Sequence, residues 1–440
     1  MWALAGGRAF WTLLLLVCPL VGFSFIQALQ LYSEASSAAQ GAPVAASGLS
    51  PRDGILVPTL GSFYVAITLL FPFVAIRALG DEKETGALRL LVQLPYRVST
   101  LIGIKLAVVA AAWLVAAAIA ASALVIWCML GGHVGIAELA NLAAGHLLYG
   151  LLIGSIALFA SAIAESSATA AIITLAFTIG SWVLDFTAAG SSGIAGLLSQ
   201  LSLTPAIRTF ETGILSAGLV AGIVAAIGGF CALAAIWLPP GVPVRSKLLR
   251  SVVCIAVVAT ALGFASTLRA TFDVTEDRRN SFPLADQRAL SQLKAPLRIT
   301  VHLSVEDPRY ADLKRNVLAK LERVMPDVTV RLAEGVFSPR INPNDDRYGE
   351  VTYLYGRRSD VSRSTSHREI LPLIYALAGT APPAPLSTPD YPGYPLVTKA
   401  EWALPWFFGG LPLLIVLGWW WSRRPPNISH LTQHRDGGRP

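Results

Sequence analysis

The sequence predicts a polytopic α-helical membrane protein of about eight transmembrane helices, with an extracytoplasmic α/β domain between the last two spans. Three observations predict it. Of 440 residues, 54% are hydrophobic and only 14% are charged, where a soluble protein carries about a quarter. The apolar residues gather in runs that can cross a hydrocarbon core about 30 Å thick, which takes roughly 20 helical residues. One stretch, 270–403, breaks this pattern with charges of both signs and no spanning run.

The spans fall near 10–29, 57–79, 101–130, 141–164, 168–187, 215–238, 250–268 and 404–422. The first resembles a signal-peptide core, with Ala35, Ser36, Ser37 and Ala38 as small residues at a cleavage site. Its apolar run is longer than such a core, which favours an uncleaved anchor. Placing the N-terminus in the cytoplasm puts Arg8, Arg77, Lys83, Arg89, Arg97, Lys105, Arg245, Lys247, Arg250, Arg423, Arg424, Arg435 and Arg439 inside or at the inner ends of spans. The short outer connections then hold only Arg52 and Arg208. This asymmetry follows the positive-inside rule and places both termini in the cytoplasm. Trp402, Trp406 and Trp419–Trp421 bracket the last span as an aromatic belt. The net charge of +7 is accounted for by this topology, so it gives no reason to invoke nucleic acid; membrane lipid is the expected surrounding.

The chain divides into a six-helix region 1–249, a seventh span 250–269, the outer domain 270–380, a Pro-rich linker 381–403, the eighth span 404–422 and a tail 423–440. In the outer domain Leu297, Ile299, Val301, Leu303 and Val305 alternate with polar residues, which reads as a half-buried strand. Leu313, Val317, Leu321 and Val324 follow a helical stripe, and Val328, Val330 and Leu332 alternate again. A βαβ unit with parallel strands is expected. Val351, Tyr353 and Tyr355, then Gly356 and 360–365, predict a hairpin. Ser366 with Glu369 has capping-box spacing for a last helix, in which Pro372 is awkward. The linker Pro382–Pro395 favours extended backbone.

Function points first to residues 81–106, DEKETGALRLLVQLPYRVSTLIGIKL. Its first half is charged and helix-competent, with Leu88, Leu91 and Leu94 on one face. Pro95 stops the helix and Lys105 enters the next span. A short amphipathic helix along the membrane, ahead of a span, can pass on a push from a cytoplasmic partner; the alternative is a solvated loop that holds charge inside.

Span, acidic pair, glycine, leucine-rich turn, proline and lysine in this order resemble the permeases of ABC type-2 exporters. Glu82, Glu84, Gly86, Leu88, Leu91, Pro95 and Lys105 match that pattern; Ala87 and Arg89 depart from it, standing where threonine and an acid are usual. SLTPAIRTFETGIL (202–215) is similar to the segment before the family's sixth span, through Pro205, Phe210 and Gly213. This resemblance covers roughly residues 1–238. It implies an ATPase-coupling interface at Glu82, Glu84, Gly86, Leu88, Arg89, Leu91 and Pro95, a separate cytoplasmic ATPase that binds ATP and Mg, and a second permease copy or a related one. Residues 270–380 resemble the gliding-motility type auxiliary domain, on Asp273, Thr275, Arg278, Ser281, Leu293, Pro296, the strand from Leu297 and the stretch 348–370. That family's domain is usually longer, so functions in its missing part do not carry over. The two matches together imply a bacterial inner-membrane fusion protein with a periplasmic protein as a further partner.

The chain itself shows no GxxxxGK[ST] phosphate loop, no GxSxG and no HExxH. It is therefore expected to be a transporter subunit with no ATPase site, cofactor or metal of its own. His430 and His434 stand four apart on the tail, where Pro, Gly and Arg favour disorder. Cys18, Cys128, Cys231 and Cys254 lie in or beside apolar runs without metal or disulfide spacing, and read as small buried hydrophobes. Charged residues in spans are default functional candidates. Asp185, Glu165 and Arg208 are the candidate pathway residues, Asp185 first because it can meet a cation or pair with Arg208. Asn141, His146, Glu165 and Asp185 are all near enough to a span end to be solvated. The reading of the whole is the membrane subunit of an exporter. The alternative is ATP-driven mechanical transmission to an envelope partner without solute transport. A membrane-embedded enzyme lacks the required constellation.

Overall fold

A computed structural model describes residues 7–93, 95–188, 203–304, 307–325, 327–333, 347–384 and 391–423; for Arg89 and 185–188 it describes the backbone alone. Among these residues eight helices are long and apolar enough to cross a membrane, so the chain is a multi-pass helical membrane protein by length and composition. They are α1 (Arg8–Ala38), α2 (Val57–Glu84, extended at its start by a π turn, Arg52–Leu56), α4 (Val98–Met129), α5 (Ile136–Ile163), α6 (Ser167–Ala188), α8 (Ala217–Trp237), α9 (Val244–Thr267) and the last span, Ala400–Ser422, whose final part is α13 (Leu411–Ser422). Between them lie the short α3 (Ala87–Gln93) and α7 (Thr204–Glu211).

Small residues set the closeness of the bundle. A methyl group added at Gly150 would sit 2.3 Å from the Trp113 ring, and one at Gly145 would meet Phe210 at 2.4 Å. Helices can approach this closely only where one of them lacks a side chain. The same device seats α9 on α8, where a Cβ at Gly218 would lie 2.6 Å from the Ala265 carbonyl and one at Gly229 would lie 2.6 Å from Val258. Pro19 and Pro72 lie inside α1 and α2, as membrane helices tolerate when neighbours cover the freed backbone.

The first helix runs through Ala35–Ala38 without a break. It packs along α2 and α4, and Val17, Cys18, Val21, Phe25 and Leu29 are fully buried. It is a structural member of the bundle. The last span returns to it. The Cys18 thiol donates to the Phe407 carbonyl at 3.1 Å, within a π turn, Trp406–Gly410, and the Trp406 indole donates to Ser122 Oγ at 3.0 Å. Of the four cysteines Cys18 is buried and Cys231 and Cys254 half-buried, whereas Cys128 is exposed, contrary to the expectation for that one.

The domain between the last two spans, called the outer domain after its expected side, has a four-stranded sheet in the order β4–β3–β5–β6: β3 (Leu297–Val301), β4 (Val328–Leu332), β5 (Val351–Tyr355) and β6 (Arg358–Ser362). β3 and β4 are parallel, and the β5–β6 hairpin is antiparallel, as the alternation implies. The crossover helix α11 runs from Pro308–Leu313 through a π turn, Lys314–Leu318, into Ala319–Val324. With α10 (Leu284–Ser291) and α12 (His367–Ala378) it packs on the face of Leu297, Ile299, Val301, Val351 and Tyr353. Two local expectations are corrected. The capping box is half formed: Ser366 Oγ accepts from Arg368 N, but the Ser366 N–H donates to Ser364 Oγ at 3.1 Å, taking the place Glu369 would have filled. Pro372 neither shortens nor ends α12, which runs on to Ala378.

The structure adds one element. β1 (Ile214–Ser216), just before α8, pairs antiparallel with β2 (Thr271–Asp273), just after α9. This ladder joins the two helices across the base of the outer domain. The linker is a strap. Tyr394 N donates to the Leu49 carbonyl, Leu396 N to Ser36 Oγ, and Thr398 exchanges two bonds with Ser33. Its extended backbone forms no strand among the described residues, so α1 and the loop after it supply the partners. The tail with His430 and His434 lies outside the described residues.

Candidate coupling site

The site lies at the end of the bundle opposite the outer domain. The acidic residues predicted to open an amphipathic helix instead form the last turn of α2, which continues to Glu84. Apolar packing carries α2 this far, and Gly80 lies against Ser167 at the start of α6. Gly86 then adopts φ +76, a left-handed value that glycine takes at little cost. This reverses the chain into the seven-residue α3.

Three contacts hold the root of α3. Lys105 in α4 pairs with Glu82. Glu84 accepts a hydrogen bond from Ser167. Lys83 reaches across to α5 and donates to the Ser161, Ala162 and Ala164 carbonyls. Those are the orphan acceptors at a helix C-terminus, where the dipole also favours a cation. Glu165 is exposed beside Lys83 and, with Glu84, lines a small surface hollow between α2, α5 and α6.

Of the face expected on α3, Leu88 and Leu91 are described, and Leu94 lies outside the described residues. Leu88 is buried against the bundle and Leu91 half-buried. Leu90, by contrast, is 68% exposed and Tyr96, just past the exposed Pro95, is 71% exposed. The sequence-predicted set therefore divides. Glu82, Glu84 and Leu88 brace α3 from within, Gly86 makes the turn, and Pro95 is on the surface with Leu90 and Tyr96, two apolar residues outside that set. Leu90 and Tyr96 were legible only as apolar residues out of phase with the buried face. Arg89 lies within α3, between Leu88 and Leu90.

Of the three candidate pathway residues, the side chains of Glu165 and Arg208 are described. Glu165 is at the end of the bundle that carries α3, whereas Arg208 is exposed on α7 near the outer domain, with Glu211 as a nearby opposite charge. Asp185 lies in α6, and its side chain is outside the described residues. Asn141 and His146 are 4% and 3% exposed, not solvated as their positions near a span end suggested. α7 covers Asn141, whose Nδ2 donates to the Phe210 carbonyl at 2.9 Å, with Phe210 seated over Gly145, and the His146 ring lies beside Phe63 of α2. Thus Pro205, Phe210 and Gly213 have structural work, with Pro205 in the first turn of α7 and Gly213 at φ +82 ending it.

At the outer end, buried Arg52 donates to the Thr212 carbonyl at 2.8 Å and pairs with Asp53. Asp53 also pairs with Arg279. Burial lowers the Arg279 pKa, but Asp53 and Asp277 more than offset it and the net direction is upward. Glu138 of α5 accepts from the Glu276 N–H at 3.0 Å. These bonds fix the segment 271–281 to the starts of α2 and α5.

No protein-family model, curated protein or solved structure matches this chain.

Proposed function

We propose that this chain is the membrane subunit of an ABC-type exporter in the bacterial inner membrane, driven by a separate cytoplasmic ATPase that docks on α3. One observation carries the reading. A short helix on a glycine pivot presents Leu90 outward, with exposed Tyr96 just past its end, while Glu82–Lys105, Glu84–Ser167 and Lys83 tie its root to α4, α6 and α5. Two large exposed side chains, Leu90 on α3 and Tyr96 in the turn just past it, suit an anchor in a partner's pocket. The rigid root would turn a displacement of that partner into movement of three spans. Nucleotide binding falls to the ATPase, with Mg, and a second permease copy would complete the assembly. The test is affinity purification from native membranes in mild detergent with mass spectrometry of the co-purifying proteins.

The second reading, mechanical transmission to an envelope partner, is favoured by the double attachment of the outer domain. The β1–β2 ladder and the Arg52 contacts hold one end of it, and the strap on α1 holds the other. Motion of the spans would then move the domain. Transport of an amphipathic cargo by reconstituted protein would argue against this reading as the sole function.

A further inference from the structure

We propose that His133, in the turn between α4 and α5, is a proton-operated clasp that joins both attachments of the outer domain to the membrane bundle. The proposal is independent of which ATPase, if any, docks on α3. His133 Nε2 lies 2.9 and 3.0 Å from the two carboxylate oxygens of Glu276 in the 271–281 segment. The face of the same imidazole stacks on Tyr394 of the strap, with centroids 3.6 Å apart and planes within 16°. One ring therefore touches both chain segments through which the domain returns to the membrane.

The turn that carries His133 is itself held. The Trp127 indole donates to the His133 carbonyl at 2.8 Å, and Gly132 lies against the same indole. Trp127 meets Tyr32 of α1 edge-on, and the Tyr32 hydroxyl donates to the Tyr394 carbonyl at 2.7 Å. The imidazole is thus fixed by its backbone, and its protonation acts on its two partners.

The charged and titratable groups facing it set the sign. Around the Glu276 contact they are, from the 271–281 segment, Glu276, Asp277 and Arg279; from α5, Glu138; from the strap, Tyr391 and Tyr394; from the start of α2, Arg52 and Asp53. The four carboxylates Glu138, Glu276, Asp277 and Asp53 outnumber the two guanidiniums Arg52 and Arg279, so a proton gained by the ring meets a net negative surrounding. Both tyrosine phenols are pushed up, by burial first and by the nearby carboxylates next, and stay neutral across the histidine range. Histidine changes charge between pH 5 and 8. Gaining a proton converts the Glu276 contact into an ion pair and gives Tyr394 a stacked cation. Losing it leaves a hydrogen bond between a neutral ring and the Glu276 carboxylate, without the ion pair. Acidification on the domain side tightens the clasp and a rise in pH releases it.

Hydrogen–deuterium exchange of the purified full chain in detergent, read on peptides covering 271–281 and 391–399 at pH 5.5 and 8.0 and corrected for chemical exchange, tests this. Wild type should open about threefold less at pH 5.5, the size that a pair with side chains 36% and 31% exposed supports. His133→Gln and Glu276→Gln should each abolish the pH difference in both segments while leaving exchange in β3 unchanged. A pH ratio in both variants equal to the wild-type ratio would overturn the proposal. So would greater opening of the wild type at acid pH, the result expected if protonation of Glu138 or Glu276 dominated.

Discussion

Lys105 and Glu82, twenty-three residues apart, close the loop that carries α3. Their side chains are 13% and 27% exposed, so the pair is shielded enough to hold in ordinary salt. One Glu82 oxygen meets Lys105 and the other is buried without a partner among the described residues. The ends of α2 and α4 are thereby fixed to each other, and α3 with Tyr96 projects from a stapled base.

Removing one member should cost more than removing both. Lys105→Met leaves a shielded carboxylate uncompensated and is expected to destabilise by about 2 kcal/mol. The double variant Glu82→Gln with Lys105→Met should recover most of that. Thermal unfolding of the four proteins in one detergent gives the coupling; additive losses would show that the contact contributes little.

Arg52 is 2% exposed and bonded to Asp53 and to the Thr212 carbonyl. Arg52→Met should cost about 2 kcal/mol, because the Thr212 carbonyl loses a charged donor. It should also increase exchange in 271–281. Gly213→Ala should act at the same place: φ is +82, and a Cβ would sit 2.2 Å from Thr275 and 2.3 Å from the Arg52 guanidinium.

Asp307 caps α11, where its carboxylate accepts from Arg309 N and from the Arg309 guanidinium, and the Tyr348 hydroxyl also donates to it. Arg309 first, then Tyr348, hold its pKa down to about 2. A depressed carboxylate pKa contributes stability above the ordinary value, about 3.9, that is lost as pH falls through the folded value. Asp307→Asn should therefore increase exchange in α11 at pH 7, and the difference from wild type should vanish as pH approaches about 2. A difference that persists unchanged to that pH would contradict the assignment.

The spans and the βαβ core were legible because burial imposes a period on side chains that sequence displays directly: Leu297, Ile299 and Val301 alternate, and Leu313, Val317 and Leu321 repeat at helical spacing. What sequence hid was contact between distant segments. Nothing near Ile214–Ser216 can announce a partner at Thr271–Asp273, and three residues form too short a strand to show a pattern: here Ile214, Leu215 and Ser216 are all half-buried. The strap's extended backbone followed from its prolines, but its seat on Ser33 and Ser36 depends on the third dimension. At the coupling site the acidic pair and Leu88 stood out as motif residues, and the structure gives them the bracing role. The exposed pair Leu90 and Tyr96 drew no notice because an isolated apolar residue on a surface is ordinary.

Co-purification from native membranes is the most direct test of the central claim, comparing wild type with the double variant Leu90→Asp, Tyr96→Ala. Both positions are exposed, so the variant should insert and melt as wild type does. A soluble ATPase should accompany wild type in stoichiometric amount and be recovered at least about tenfold less with the variant, as loss of two anchors would give. Absence of an ATPase from wild type, or equal recovery with the variant, would contradict docking on α3.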